Sequence, residues 1–135
     1  MAQGTHIVAS LRTWPIFKKL LVWQKAHALA VHTYRTAKRI RSTCDLALRA
    51  QTIRAALSIP TNIVEGRRQL TDKEFARFLR ISLNSGCELE YHLIIARDIG
   101  VLPEAEVESL LRELIEVRVM LQALITRLGS PPYPS

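Results

Sequence analysis

The sequence predicts an all-α chain folded as an antiparallel up-down four-helix bundle, and three observations carry that expectation. Apolar residues recur at alternating steps of three and four in four successive segments, the spacing that keeps one helix face turned toward its partners. Short polar connectors separate the segments, which places consecutive helices side by side. Glycine and proline are scarce, with 5 and 6 in 135 residues, while Leu, Ala, Arg and Glu, all good helix formers, abound. A hydrophobic share of 48% argues against disorder, and this length supplies one domain with a core that needs no staples.

The first helix is expected from about Leu21 to Arg41, with Val22, Ala26, Leu29, Thr33, Ala37 and Ile40 on one face. The second is expected from about Asp45 to Glu65, with Leu46, Ala50, Ile53, Leu57, Pro60 and Val64 as its buried seam. Pro60 has no N–H to offer the Ala56 carbonyl, so a kink is expected there. Ser58 or Asn62 could re-satisfy the freed carbonyls. Gly66 reads as the stop of this helix.

The third helix opens at Thr71, where "TDKE" is a capping box closed by Glu74. Its stripe is Phe75, Leu79, Ser82, Gly86, Leu89, Leu93 and Ala96, and the small pair Ser82 and Gly86 marks a close helix approach. Pro103 is expected in the first turn of the fourth helix, which runs to about Leu128 before Gly129. Its seam is Val107, Leu110, Leu114, Val117, Leu121, Leu124 and Leu128. The domain is therefore 17–128, between a flexible segment 1–16 and a mobile Pro-rich tail 129–135.

The N-terminal stretch lacks the basic region and apolar run of a secretory signal, and no apolar run approaches ~20 residues. A cytoplasmic protein without membrane association is expected. Cys44 and Cys87 lie too far apart in sequence for a metal-ligand spacing and read as small buried or half-buried side chains.

Apolar residues exceed what one bundle needs. The fourth helix carries a second stripe of Leu111, Ile115, Val119 and Ile125, and the third adds Phe78, Ile81, Leu83, Ile94 and Ile95 beside its seam. A broad core stripe is one reading. The other is a self-associating surface, with Phe78, Ile81, Leu111, Ile115 and Val119 at the interface.

Charge is uneven along the chain. Residues 1–70 hold 12 Lys and Arg against 2 Asp and Glu, and residues 71–135 hold 7 against 10. At one end of an up-down bundle, Lys38, Arg39 and Arg41 would face Glu104, Glu106 and Glu108 and be neutralised. The other end would gather Lys18, Lys19, Lys25, Arg67, Arg68, Lys73, Arg77 and Arg127 against only Glu65, Asp72 and Glu74. Arg67 and Arg68 could be ordinary cations at a helix C-terminus. They could equally meet an anionic partner, of which nucleic acid is the commonest large example.

No catalytic constellation emerges. Glu88 and Glu90 stand about 200° apart on a helix. Glu88 and His92 share a face, but a di-metal bundle centre needs Glu-x-x-His on two helices, and residue 89 is leucine. No phosphate loop, nucleophile elbow or zinc spacing appears. No enzymatic activity, cofactor or metal is expected.

"VWQKA" (Val22–Ala26), "SIPTNIVEG" (Ser58–Gly66), "EFARFLRISL" (Glu74–Leu83) and "ELE" (Glu88–Glu90) together resemble a known family. It comprises the four-helix-bundle proteins encoded in intervening sequences of bacterial large-subunit ribosomal RNA genes, and includes the accessory variability determinant of diversity-generating retroelements. Pro60, Asn62, Glu65 and Gly66 carry its most distinctive motif. The resemblance implies a barrel-like homopentamer with a central channel. For the retroelement members it implies a basic surface that binds nucleic acid and a partner reverse transcriptase. Where the family usually reads Gln-Ile-Arg-Arg-Ala, this chain reads "QTIRA", which keeps Arg54 of the two arginines. The leading expectation is a homo-oligomeric bundle that binds nucleic acid through Lys18, Lys19, Lys25, Arg54, Arg67, Arg68, Lys73 and Arg77. The alternative is a protein-interaction scaffold.

Overall fold

A computed structural model describes residues 20–129. The segment 1–16, Lys18, Lys19 and all but the first residue of the tail 129–135 lie outside the described residues. Four α-helices follow in order, with no strand among the described residues: α1 (Leu21–Ala37), α2 (Leu46–Arg67), α3 (Asp72–Asp98) and α4 (Glu104–Arg127), and a single 3-10 turn (Thr43–Asp45) leads into α2. The all-helical bundle is as expected.

Each helix packs on two neighbours. α1 lies against α2 and α4, and α3 lies against the same two, so α1 and α3 are diagonal, as are α2 and α4. Along the α1–α4 seam Lys25 pairs with Glu116, His32 with Glu113 and Arg39 with Glu106. The core is one continuous cluster, including Leu29, Ile59, Ile63, Leu79, Leu93, Leu110 and Leu121.

The helix ends follow capping chemistry. Thr71 Oγ1 accepts from the Glu74 N–H at 3.1 Å, which ties down one of the unpaired donors at the start of α3. The Glu74 carboxylate does not close the box and instead takes Arg77 Nε at 3.0 Å. α3 ends on Gly100 at φ +80°. There the Val101 N–H reaches the Ala96 carbonyl and the Gly100 N–H reaches that of Arg97, a Schellman motif that needs a left-handed residue. Gly129, at φ +81°, stops α4 as expected.

Several expectations are corrected. α1 ends at Ala37 rather than Arg41, and a turn returns Ile40 to the core. Pro103 is the N-cap of α4 rather than its first residue. Leu83 and Ile125 are fully buried, not outer-stripe residues. Cys44 and Cys87 are both exposed.

The largest correction is in α2. Its buried residues are Thr52, Ala55, Ala56, Ile59, Pro60, Ile63 and Gly66. Pro60 is buried as expected, but the rest of the expected seam is off by one residue, about 100° of helix rotation. Leu46 and Leu57 are 44% and 46% exposed, Ala50 is exposed, and Ile53 and Val64 are half-buried. Small residues hold the seam because α2 comes close to α3.

Candidate nucleic-acid interface

The "SIPTNIVEG" stretch sits where α2 meets α3, and its Ser58 and Asn62 side chains are half-buried there. Pro60 removes one helical donor. Three successive carbonyls just before it, none of them the Ala56 carbonyl that loses its donor, also accept from side chains: Thr61 Oγ1 donates to Leu57 O at 2.7 Å, Asn62 Nδ2 to Ser58 O at 2.8 Å and Ser82 Oγ to Ile59 O at 2.9 Å. Ser58 Oγ and Ser85 Oγ share a hydrogen bond at 2.7 Å across the helices. Asn62 thus serves the carbonyl of Ser58, two residues from the expected Ala56.

Gly66 lies inside α2 and does not end it. Its φ is not positive, so conformational freedom is not what this position needs. A Cβ there would come within 2.8 Å of Phe78 Cβ and 2.9 Å of Phe75 Cδ1. Gly66 is the floor on which two phenylalanines of α3 rest. Glu65 is exposed, and its backbone carbonyl accepts from the Arg68 N–H at 3.3 Å and from Gln69 Nε2 at 3.0 Å.

The nominated cations divide into two groups. Lys25 meets Glu116 at 3.1 Å, Arg77 meets Glu74, and Arg54 meets Glu88 while also donating to Gln51. Arg67 and Arg68 at the end of α2, and Lys73 in the first turn of α3, are exposed and have no ion pair among the described residues. A connector of only a few residues joins the two helices, so these three cations share one end of the molecule.

At the other end, Arg39 alone of the three expected partners pairs among the described residues, with Glu106. Lys38 lies over the Tyr34 ring at 5.6 Å. Glu88 goes to Arg54 rather than to His92, whose Nδ1 is buried without a partner. No cluster of three or more metal-ligating side chains occurs among the described residues. No helix among them is long and apolar enough to cross a membrane.

The nominated association residues occupy two places. Phe78 packs over Gly66 on the α2-facing flank of α3, with Arg77 stacked on its ring at 4.6 Å, and Ile81 is half-buried. On α4, Leu111 is half-buried, while Ile115 and Val119 are 52% and 58% exposed.

The profile of the 23S rRNA-intervening sequence protein family matches residues 18–123. The chain belongs to this family. A solved structure with the same fold is a protein of unknown function from the S23 ribosomal protein family of Bacteroides thetaiotaomicron. It is 24% identical, superposes with a TM-score of 0.74, and the alignment covers 78% of this chain and 98% of that one. No curated protein matches.

In this intervening-sequence protein, the reading by residue spacing missed a groove on the outer side of α1 and α2. Trp23, His27 and Tyr34 face Leu57, Pro60 and Val64 across it. The Trp23 and His27 rings stack at 5.0 Å. The signal was present in the spacing, because residues 23, 27 and 34 form a second α1 stripe at steps of four and seven, parallel to the stripe already assigned to the core.

Proposed function

We propose that this chain is a non-enzymatic, homo-oligomeric helical bundle that binds nucleic acid through the α2–α3 end. The observation that carries the reading is the set Arg67, Arg68 and Lys73. These cations stay exposed and unpaired among the described residues, whereas Lys25, Arg54 and Arg77 each have a carboxylate. A phosphate backbone supplies closely spaced negative charge, and neutralising it releases counterions.

The finer architecture belongs to the same proposal. The bundle is up-down and antiparallel, because α1 partners rise in number as their α4 partners fall. α2 bends at Pro60, where the carbonyls on the preceding turn take side-chain donors. Five copies in a ring are what the family resemblance implies, a partner reverse transcriptase is what it implies for the retroelement members, and a cytoplasmic location is part of the same proposal.

A gel-shift series with single- and double-stranded probes at rising salt tests the interface. Log affinity should fall with log salt. Arg67→Glu with Arg68→Glu should weaken binding and flatten the slope by about 0.9 for each duplex phosphate that is no longer neutralised. Binding that is absent at low salt, or unchanged in the double variant, refutes this reading. Recovery of a partner protein that survives nuclease treatment would favour the scaffold alternative.

A further inference from the structure

The α1–α2 groove runs into the unpaired cations. Val64 is its last residue on α2, and Arg67 and Arg68 follow within about one helical turn. At about 100° per residue they fall on either side of the Val64 direction, on the groove side of α2. Lys38 follows Tyr34 on α1 by a similar step. With α1 and α2 antiparallel, as proposed above, Lys38 stands at the opposite end of the groove. Arg67, Arg68 and Lys38 are exposed, and none has an ion pair among the described residues.

Between these cations the lining is aromatic and aliphatic. His27 is exposed and stacks on Trp23. Tyr34 is 45% exposed, and the Lys38 ammonium lies 5.6 Å from its ring centroid, so a ring and a positive charge share one place. Leu57, Pro60 and Val64 form the facing wall, and no carboxylate lines the groove. α1 carries no Asp or Glu, and α2 carries only Glu65, about 100° round from Val64. The carboxylates that reach α1, Glu113 and Glu116, come from α4 on its other flank. A matching occupant carries flat rings with negative charge beside them. Unpaired bases on a phosphate backbone supply both. A duplex supplies the charge but keeps its bases stacked on each other, and extracting them costs a few kcal/mol.

We propose that the α1–α2 groove binds a short stretch of single-stranded nucleic acid. Its bases lie against His27 and Tyr34, and its backbone runs from Arg67 and Arg68 to Lys38. The proposal rests on the nucleic-acid reading above and names the form of the polymer. From Trp23 to Tyr34 the groove follows about 16 Å of helix, room for a few nucleotides. A lining made mainly of rings and hydrocarbon meets base faces, which every base presents, so the site selects unpaired strands rather than a sequence.

Fluorescence anisotropy on the full chain tests this, with labelled oligouridylate and oligothymidylate of about ten nucleotides and a mixed-sequence duplex of equal length. Both single strands should bind more tightly than the duplex. Tyr34→Ala should weaken single-strand binding about tenfold and leave duplex binding and the salt slope unchanged, because a ring and not a charge is lost. Tyr34→Phe should keep the wild-type affinity. Lys38→Ala should flatten the single-strand salt slope by about 0.7 and leave the duplex slope as it was. Circular dichroism checks the fold of each variant, and His27→Ala, at another exposed position, serves if Tyr34→Ala misfolds. Tighter duplex binding, no loss in either ring variant, or equal losses on single strand and duplex overturn the groove assignment and leave the Arg67–Arg68 interface standing. A ring variant with lower light-scattering mass and unchanged affinity per chain shows a second copy in the groove, which also overturns it. A wild-type chain that binds no probe at low salt overturns the nucleic-acid reading, and this site with it.

Discussion

Gly66→Ala separates helix propensity from packing in this bundle. Gly66 has no positive φ and sits inside α2, so replacing it with alanine should by propensity alone stabilise the helix by about 1 kcal/mol. The structure opposes that gain. The new Cβ would stand 2.8 Å from Phe78 Cβ and 2.9 Å from Phe75 Cδ1. Phe78 Cβ is bound to the α3 backbone and cannot swing aside, so relief requires α2 and α3 to part. Parting them pulls on the Ser58–Ser85 and Ser82–Ile59 hydrogen bonds at 2.7 and 2.9 Å. Overpacking of this kind costs about 2–3 kcal/mol, the upper part of its usual range. The net effect is a loss of about 1–2 kcal/mol. Urea unfolding followed by circular dichroism measures it, at equal chain concentrations because the proposed assembly would be linked to stability. A variant as stable as the wild type, or more stable, refutes the close-approach argument.

Two further substitutions test the hydrogen bonds around the same junction, by the same unfolding assay. Ser82→Ala removes the buried donor to the Ile59 carbonyl and should cost about 1 kcal/mol; no loss would mean that the carbonyl is adequately served within its own helix. Thr71→Ala removes the N-cap of α3 and should cost about 1 kcal/mol. Thr71→Asp should recover that loss, since it restores the acceptor and adds negative charge at a helix N-terminus.

The helices were legible where one stripe of large apolar residues had no rival. α3 and most of α4 bury the residues that their spacing nominates, from Phe75 to Ala96 and from Val107 to Leu121. α2 failed because two stripes compete in it. Leu46, Ile53, Leu57 and Val64 are the larger and more apolar set, so spacing read with hydrophobicity selects them. The core instead takes Thr52, Ala55, Ala56 and Gly66 around Ile59 and Ile63. A close α2–α3 crossing rewards small side chains, and that closeness comes from the partner helix, which spacing within α2 does not contain. Gly66 was misread for the same reason: a glycine near a helix end resembles a stop until the phenylalanines above it are seen.

The misread seam and the unassigned groove have one cause. Small residues win the α2–α3 contact, so the large apolar residues of α2 are turned by about 100° toward the outside, where α1 supplies Trp23 and Tyr34 as the opposite wall. Two polar residues of the motif and one of α3 are spent on the junction: Ser58 on Ser85, Asn62 on the Ser58 carbonyl and Ser82 on that of Ile59, while Thr61 and Glu65 stay exposed. The buried polar atoms of the most distinctive stretch of the chain therefore serve a structural joint. Charge counting could locate a basic half but could not foresee pairing, which depends on carboxylates brought from other helices, such as Glu116 to Lys25 and Glu88 to Arg54. Once those pairs are set aside, the joint presents two things outward: an apolar groove along its side, and Arg67 and Arg68 at its end. The first is an apolar surface that no described residue covers, and the second is charge that no described carboxylate neutralises.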